Sequence, residues 1–231
     1  MTSKTAPDSP PLDPPVDQVD ALLPQTQCGR CGYAGCLPYA EAMVADGVPI
    51  NRCPPGGRRT IRALAALLHT SPVPLDSEYG TEPEYESVAW IDEAHCIGCA
   101  LCYKACPVDA ILGAPKLMHS VIRSECTGCE LCIAPCPVDC IHMRRVDEST
   151  GEFDARAQDR MRRKADLARR RHRFRQFRLA RDQGEQAERR RRKKANSQAG
   201  ANTDRALDKK RDVIKAARER VREKRATRHR P

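Results

Sequence analysis

Two segments constrain this chain more than anything else in it: CIGCALCYKACPVDAI at 96–111 and CTGCELCIAPCPVDCI at 126–141. They are offset by 30 residues and agree at ten of sixteen positions: four Cys plus Gly, Leu, Pro, Val, Asp and Ile. Self-similarity this dense implies two copies of one structural unit packed against each other. Each copy reads C-x2-C-x2-C-x3-C-P, which places four thiols within reach of one compact inorganic centre.

That spacing is the one by which a bacterial ferredoxin wraps cubane [4Fe-4S] clusters, the fourth cysteine of each motif crossing to the other cluster. One cluster is then expected on Cys96, Cys99, Cys102 and Cys136, and the other on Cys126, Cys129, Cys132 and Cys106. Gly98 and Gly128 supply the backbone freedom that a loop folded tightly round a cluster needs. Pro107 and Pro137 end the turn after each fourth ligand and begin the VDAI and VDCI segments, whose apolar side chains are expected to keep water from the clusters. A pair of zinc sites is the competing reading, because CxxC pairs also bind zinc, but two interlocked sets of four with proline after both last positions do not suit it.

A third group precedes these: Cys28, Cys31, Cys36 and Cys53, spaced C-x2-C-x4-C-x16-C. Four thiols among Gly29, Gly32 and Gly35 suit either a cluster or tetrahedral zinc, and spacing leaves both open. Short helices are expected at Leu37–Ala45, ended by Gly47, and at Arg58–His69.

Thirteen cysteines in a chain with only 4% aromatic residues make metal–sulfur bonding, rather than a large apolar core, the natural staple. An odd count argues against a purely paired disulfide framework, and no secretory signal is visible, so the thiols are expected in a reducing cytosol. The longest apolar run, Ala63 to Leu68, falls far short of the roughly 20 residues a membrane-crossing helix needs. Charge divides the chain: residues 1–149 carry 11 Lys+Arg against 19 Asp+Glu, a formal −8, whereas 150–231 carry 30 against 12, a formal +18.

From about Asp20 to Arg145 the chain resembles the B-type, iron–sulfur subunit of the Rnf (Rsx) ion-translocating electron transport complex. The matching words are LLPQTQCGRCGYAGC, INRCPPGG, the double ferredoxin repeat and GAPKLMHSVI between its halves. The resemblance implies that Cys28, Cys31, Cys36 and Cys53 also ligate a [4Fe-4S] cluster, giving three. It implies single-electron relay among redox proteins, including membrane-bound flavin subunits, as a subunit of an oxidoreductase system rather than a stand-alone enzyme. Members of the complex begin with a hydrophobic anchor, which residues 1–19 do not supply, so a cytoplasmic protein, peripheral at the inner face of the membrane, is expected.

The expected class is α+β: a small four-cysteine Fe-S module, then a bacterial-type 2[4Fe-4S] ferredoxin fold with short strands and two small helices, then a basic tail. The divisions are 1–19, a disordered leader; 20–69, the module; 70–87, a linker; 88–147, the ferredoxin domain; and 148–231, the tail. The tail reads as two helices with a joint near Ala195–Thr203, or as helix-prone disorder. Its arginine runs suit anionic lipid, an acidic protein surface or, less well, nucleic acid, with Phe174 and Phe177 on one helical face and Leu207, Ile214, Ala217 and Val221 on another. The alternatives to relay are a nucleic-acid-associated redox protein and a scaffold stapled by its clusters. Cys140, opposite Ala110 in the other repeat, reads as a small buried hydrophobe. His95 reads as a solvent-facing spacer, and Trp90 and Tyr103 as core or cluster-covering side chains.

Overall fold

The computed structural model describes residues 16–146 and 155–228. It divides into two units, Met1–Gln176 and Phe177–Pro231.

The first unit opens with α1 (Val16–Leu22), which buries Val19 and Asp20. The last residues of the span read as leader, 16–19, are therefore helix; residues 1–15 lie outside the described residues. Val19 and Leu23 lie in one core with Tyr39, Met43, Ile61 and Leu64, and that burial outweighs the proline-rich text before them. α2 (Cys36–Ala45) ends as expected: Gly47 takes φ +64, and the N–H groups of Asp46 and Val48 both donate to the Ala42 carbonyl. α3 (Gly57–Leu67) buries Thr60, Ile61, Leu64 and Ala65, spaced as one helical face. The linker span is tied back to this module. Asn51 Nδ2 donates to Pro74 O at 2.8 Å, Asp76 N–H donates to Asn51 O, and a 3₁₀ turn follows at Ser77–Tyr79.

β1 (Ser87–Ile91) pairs antiparallel with β4 (Ile141–Arg145), in register from Ser87 opposite Arg145 to Ile91 opposite Ile141. Between them lie α4 (Leu101–Ala105) and a short ladder of β2 (Ile111–Leu112) with β3 (Ser120–Val121). Val88, Ala89, Ile91, Val108, Ala110, Ile111 and Ile141 form the interior with the cysteines. Of the two small helices expected, only the first is present as an α-helix. Its counterpart at 131–135 is a turn, because Pro135 stands where Ala105 stands in the first repeat and has no N–H to donate.

α5 (Ala155–Arg228) replaces the two expected tail helices. No proline falls between 155 and 228, and Gly184 and Gly200 each cost only about 1 kcal/mol against Ala, too little to break the run. Residues 147–154 are outside the described ones. In the first unit, α5 buries Ala168 in the ferredoxin interior and reaches both cysteine modules. Arg169 pairs with the buried carboxylate of Asp20 at 2.8 Å. Arg171 donates to the carbonyls of Val108 and Asp109, His172 Nδ1 lies 2.9 Å from Pro107 O, and Arg175 binds Asp109 and the Lys104 carbonyl. The residues of α5 beyond Gln176 belong to the second unit, and their described side chains are mostly exposed. Among the described residues, no helix is long and apolar enough to cross a membrane.

Candidate functional site

Twelve of the thirteen free cysteines are electrostatic neighbours of one another in three sets. Cys102 lies in the electrostatic field of Cys99, Cys96 and Cys136. Cys132 lies in that of Cys129, Cys126 and Cys106. Cys136 and Cys106 are thus electrostatic neighbours of thiols in the opposite repeat, while among the described residues no three His, Cys, Asp or Glu side chains are drawn together closely enough to hold a single metal ion. Cys53 shares a neighbourhood with Cys36, Cys28 and Cys31.

Local backbone explains why the loops close. Gly98 and Gly128 sit at φ +69 and +68, and a Cβ would strike the Leu117 backbone at the first and the Ser87 carbonyl at the second. Backbone amides are aimed at sulfur: Ala89 N–H donates to Cys126 Sγ at 3.4 Å, and Ala110 N–H to Cys106 Sγ at 3.2 Å. Such amides favour a negatively charged, cluster-bound sulfur. The Cys106, Cys126, Cys129 and Cys132 group opens on a small cavity shared with Ala89, Val108, Ala110 and Met143. Soft sulfur donors in fours, amide donors and an apolar lining fit a [4Fe-4S] group.

In the first module, polar residues of LLPQTQ set the geometry. Buried Gln25 donates to Asp20, Gln27 donates to Gln25, and Gln27 Oε1 accepts the N–H of Cys36 at 2.9 Å. The hydroxyl of Tyr39 donates to Pro49 O at 2.7 Å and accepts from Arg52 N, holding the approach to Cys53 against the helix that begins at Cys36. Tyr39 is itself buried, and burial raises its pKa.

Burial also raises the pKa of several of the thiols. It pushes Cys36 and Cys132 up to about 12 and Cys129 up to about 11, so without a metal partner these groups are neutral at pH 7. Cys136 is the exception: burial opposes its ionisation, but the backbone N–H groups of Val138 and Cys140 and the thiol of Cys140 outweigh it, and its pKa falls.

The two cysteine modules meet at their loops. Thr127 Oγ1 donates to Thr26 O at 3.2 Å, and Arg30 pairs with Glu130 at 2.7 Å. The first module therefore adjoins the Cys126, Cys129, Cys132 and Cys106 group.

Cys140 is buried, as read, with its Sγ 3.5 Å from that of Cys136. His95 faces solvent and binds Asp92. Trp90 and Tyr103 are not core residues. Trp90 is half-buried on the β1–β4 ladder, stacked on His142 with the Arg144 guanidinium 3.6 Å from its ring, and Tyr103 is exposed. The VDAI and VDCI segments also part company, since Val108 is 1% exposed and Val138 38%. α5 lies over the first copy through Arg171 and His172, whereas Val138 has no such cover. The reading by sequence missed His119, which is fully buried with Nδ1 3.5 Å from Cys96 Sγ.

Comparison with known proteins falls on the same two segments. The family model of the 4Fe-4S dicluster domain matches residues 89–143. A second family model, FeS, describing an Fe-S cluster, matches residues 23–55. Fold, thiol groups and family matches together define an iron–sulfur electron-transfer protein carrying [4Fe-4S] clusters. The chain is 64% identical to the B-type subunit of the ion-translocating oxidoreductase complex of Alkalilimnicola ehrlichii over 141 residues, 61% of this chain and 76% of that one. It is 60% identical to the protein of the same name from Erwinia tasmaniensis, over 61% of this chain and 73% of that one. Against that of Pseudomonas aeruginosa it is 65% identical, over 59% of this chain and 70% of that one. The chain belongs to the family of B-type subunits of the ion-translocating oxidoreductase complex.

Proposed function

We propose that this protein relays single electrons through three [4Fe-4S] clusters, as a subunit of an ion-translocating oxidoreductase complex. Cys28, Cys31, Cys36 and Cys53 would hold one cluster, Cys96, Cys99, Cys102 and Cys136 the second, and Cys126, Cys129, Cys132 and Cys106 the third. The neighbourhood of Cys136 with Cys96, Cys99 and Cys102 supports this reading, because fourth ligands exchanged between the repeats draw two centres together. When bound, each cluster supplies a one-electron couple, and the protein sets its potential through burial and hydrogen bonds to sulfur.

The residues set an order. Thr26 and Arg30 of the first module touch Thr127 and Glu130, which supports an order in which that module passes electrons to the Cys126 group first. Arg169, Arg171 and Arg175 of α5 bind both modules and fix their spacing. The chain's redox partners would include membrane-bound flavin subunits. The exposed arginines from Arg189 to Arg192 suit contact with an anionic lipid surface, which would hold the protein at the cytoplasmic face of the membrane.

Anaerobic purification with iron and sulfide counting, followed by EPR of the reduced protein, tests the proposal. About twelve iron atoms per chain are expected. About eight iron atoms with one zinc would instead make the first module a zinc site.

A further inference from the structure

The two halves of the ferredoxin domain carry the same ligands but not the same neighbours. With the repeat offset of 30 residues, Ala89 corresponds to His119 and Ala110 to Cys140. All four positions touch ligand sulfur. Ala89 and Ala110 reach Cys126 and Cys106 through backbone amides only. At the equivalent positions His119 sets its Nδ1 3.5 Å from Cys96 Sγ, and Cys140 sets its Sγ 3.5 Å from Cys136 Sγ. Both side-chain contacts therefore fall on one group, Cys96, Cys99, Cys102 and Cys136, and both counterparts at the other group are alanine.

We propose that His119 and Cys140 make the two ferredoxin clusters unequal by donating hydrogen bonds to Cys96 and Cys136, which raises the reduction potential of the cluster held there. The inference rests on the ligation proposed above. A ligating cysteine is a thiolate and can only accept, so the partner must be the donor in each contact. His119 is then the Nδ1–H tautomer. Its Nε2 has no hydrogen-bond partner among the described residues, which leaves Cys96 as its one polar contact. The ring lies against Gly113, where a Cβ would collide with it, so the chain makes room for the imidazole. Reduction adds one electron to the cluster and breaks no bond. Donors to the ligand sulfurs stabilise the added charge and favour the reduced form. An electron entering through the first module would cross the Cys126 group and come to rest on the Cys96 group.

The test is a potentiometric titration of the anaerobic, full-length, cluster-loaded protein with dithionite and mediators, followed by EPR, with iron counted in every sample. Cys140→Ala copies the residue of the sister repeat. It is expected to lower one midpoint and leave the others in place, with about a tenfold fall in the reduced-to-oxidised ratio at fixed potential, or about 59 mV for one electron. His119→Leu should lower the same midpoint. Cys140→Ser, which keeps a donor, should restore it, and Ala110→Cys should raise a different one. The proposal is overturned if Cys140→Ala, with its iron retained, moves no midpoint or moves two together. Wild-type protein lacking iron in these two groups would overturn the underlying ligation, and the proposal with it.

Discussion

Arg30 Nη2 stands 2.7 Å from Glu130 Oε2, joining the loop between Cys28 and Cys31 to the loop between Cys129 and Cys132. Both side chains are more than a third exposed, so the pair adds at most about 1 kcal/mol to stability. Its consequence is positional. Glu130→Lys is expected to leave iron content and melting temperature nearly unchanged while weakening the magnetic coupling between the first module and the Cys126 group in EPR of the reduced protein. Adding Arg30→Glu should restore the coupling. A single variant with wild-type coupling would show that Thr26 and Thr127 hold the contact alone.

Arg169 and Asp20 make a stronger tie, because the carboxylate is almost wholly buried between α1 and α5. Removing one partner from a buried pair leaves an uncompensated charge and costs about 3 kcal/mol. Arg169→Ala should therefore lower the melting temperature and speed proteolytic cleavage within residues 70–87, where the two modules are joined. Arg189→Ala, a change of the same type at an exposed position, should do neither.

Glycine substitution separates the two ferredoxin groups. Gly98→Ala combines a left-handed backbone with a clash against Leu117, and Gly128→Ala does the same against Ser87 O. Each variant is expected to lose about four iron atoms while the other groups stay loaded. Iron analysis with EPR of each variant decides this. Full iron content in both would mean that the loops give way without cost.

Loading should depend on pH with a definite sign. Burial holds Cys36 and Cys132 near 12 and Cys129 near 11, so the metal-free protein carries them as neutral thiols, whereas ligation requires thiolates. Cluster binding therefore releases protons and strengthens as pH rises. Iron retained against a fixed chelator concentration should be greater at about pH 8 than at about pH 6. Equal retention would contradict proton release.

Much of this site was legible before the fold was known, because ligand spacing is a local property of sequence. The two iron–sulfur segments, α2, α3 and the left-handed glycines at 98 and 128 follow from motif and turn chemistry. What escaped were pairings across long separations. Nothing near His119 in GAPKLMHSVI points to sulfur; only its repeat counterpart, Ala89 against Cys126, reveals the role. Asp20 meets an arginine 149 residues later, a distance no periodicity spans. α1 was masked by the prolines up to Pro15. The joint expected near residue 200 failed because polar text without proline does not stop an arginine- and alanine-rich helix.

Crossed ligation is the claim on which the relay, its order and its unequal potentials all depend, and paired ligand variants test it most directly. EPR of reduced, anaerobic Cys136→Ala should show the same signal altered as in Cys102→Ala, with the Cys132→Ala signal distinct from both. If Cys136→Ala instead matches Cys132→Ala, each repeat closes its own cluster and the account fails.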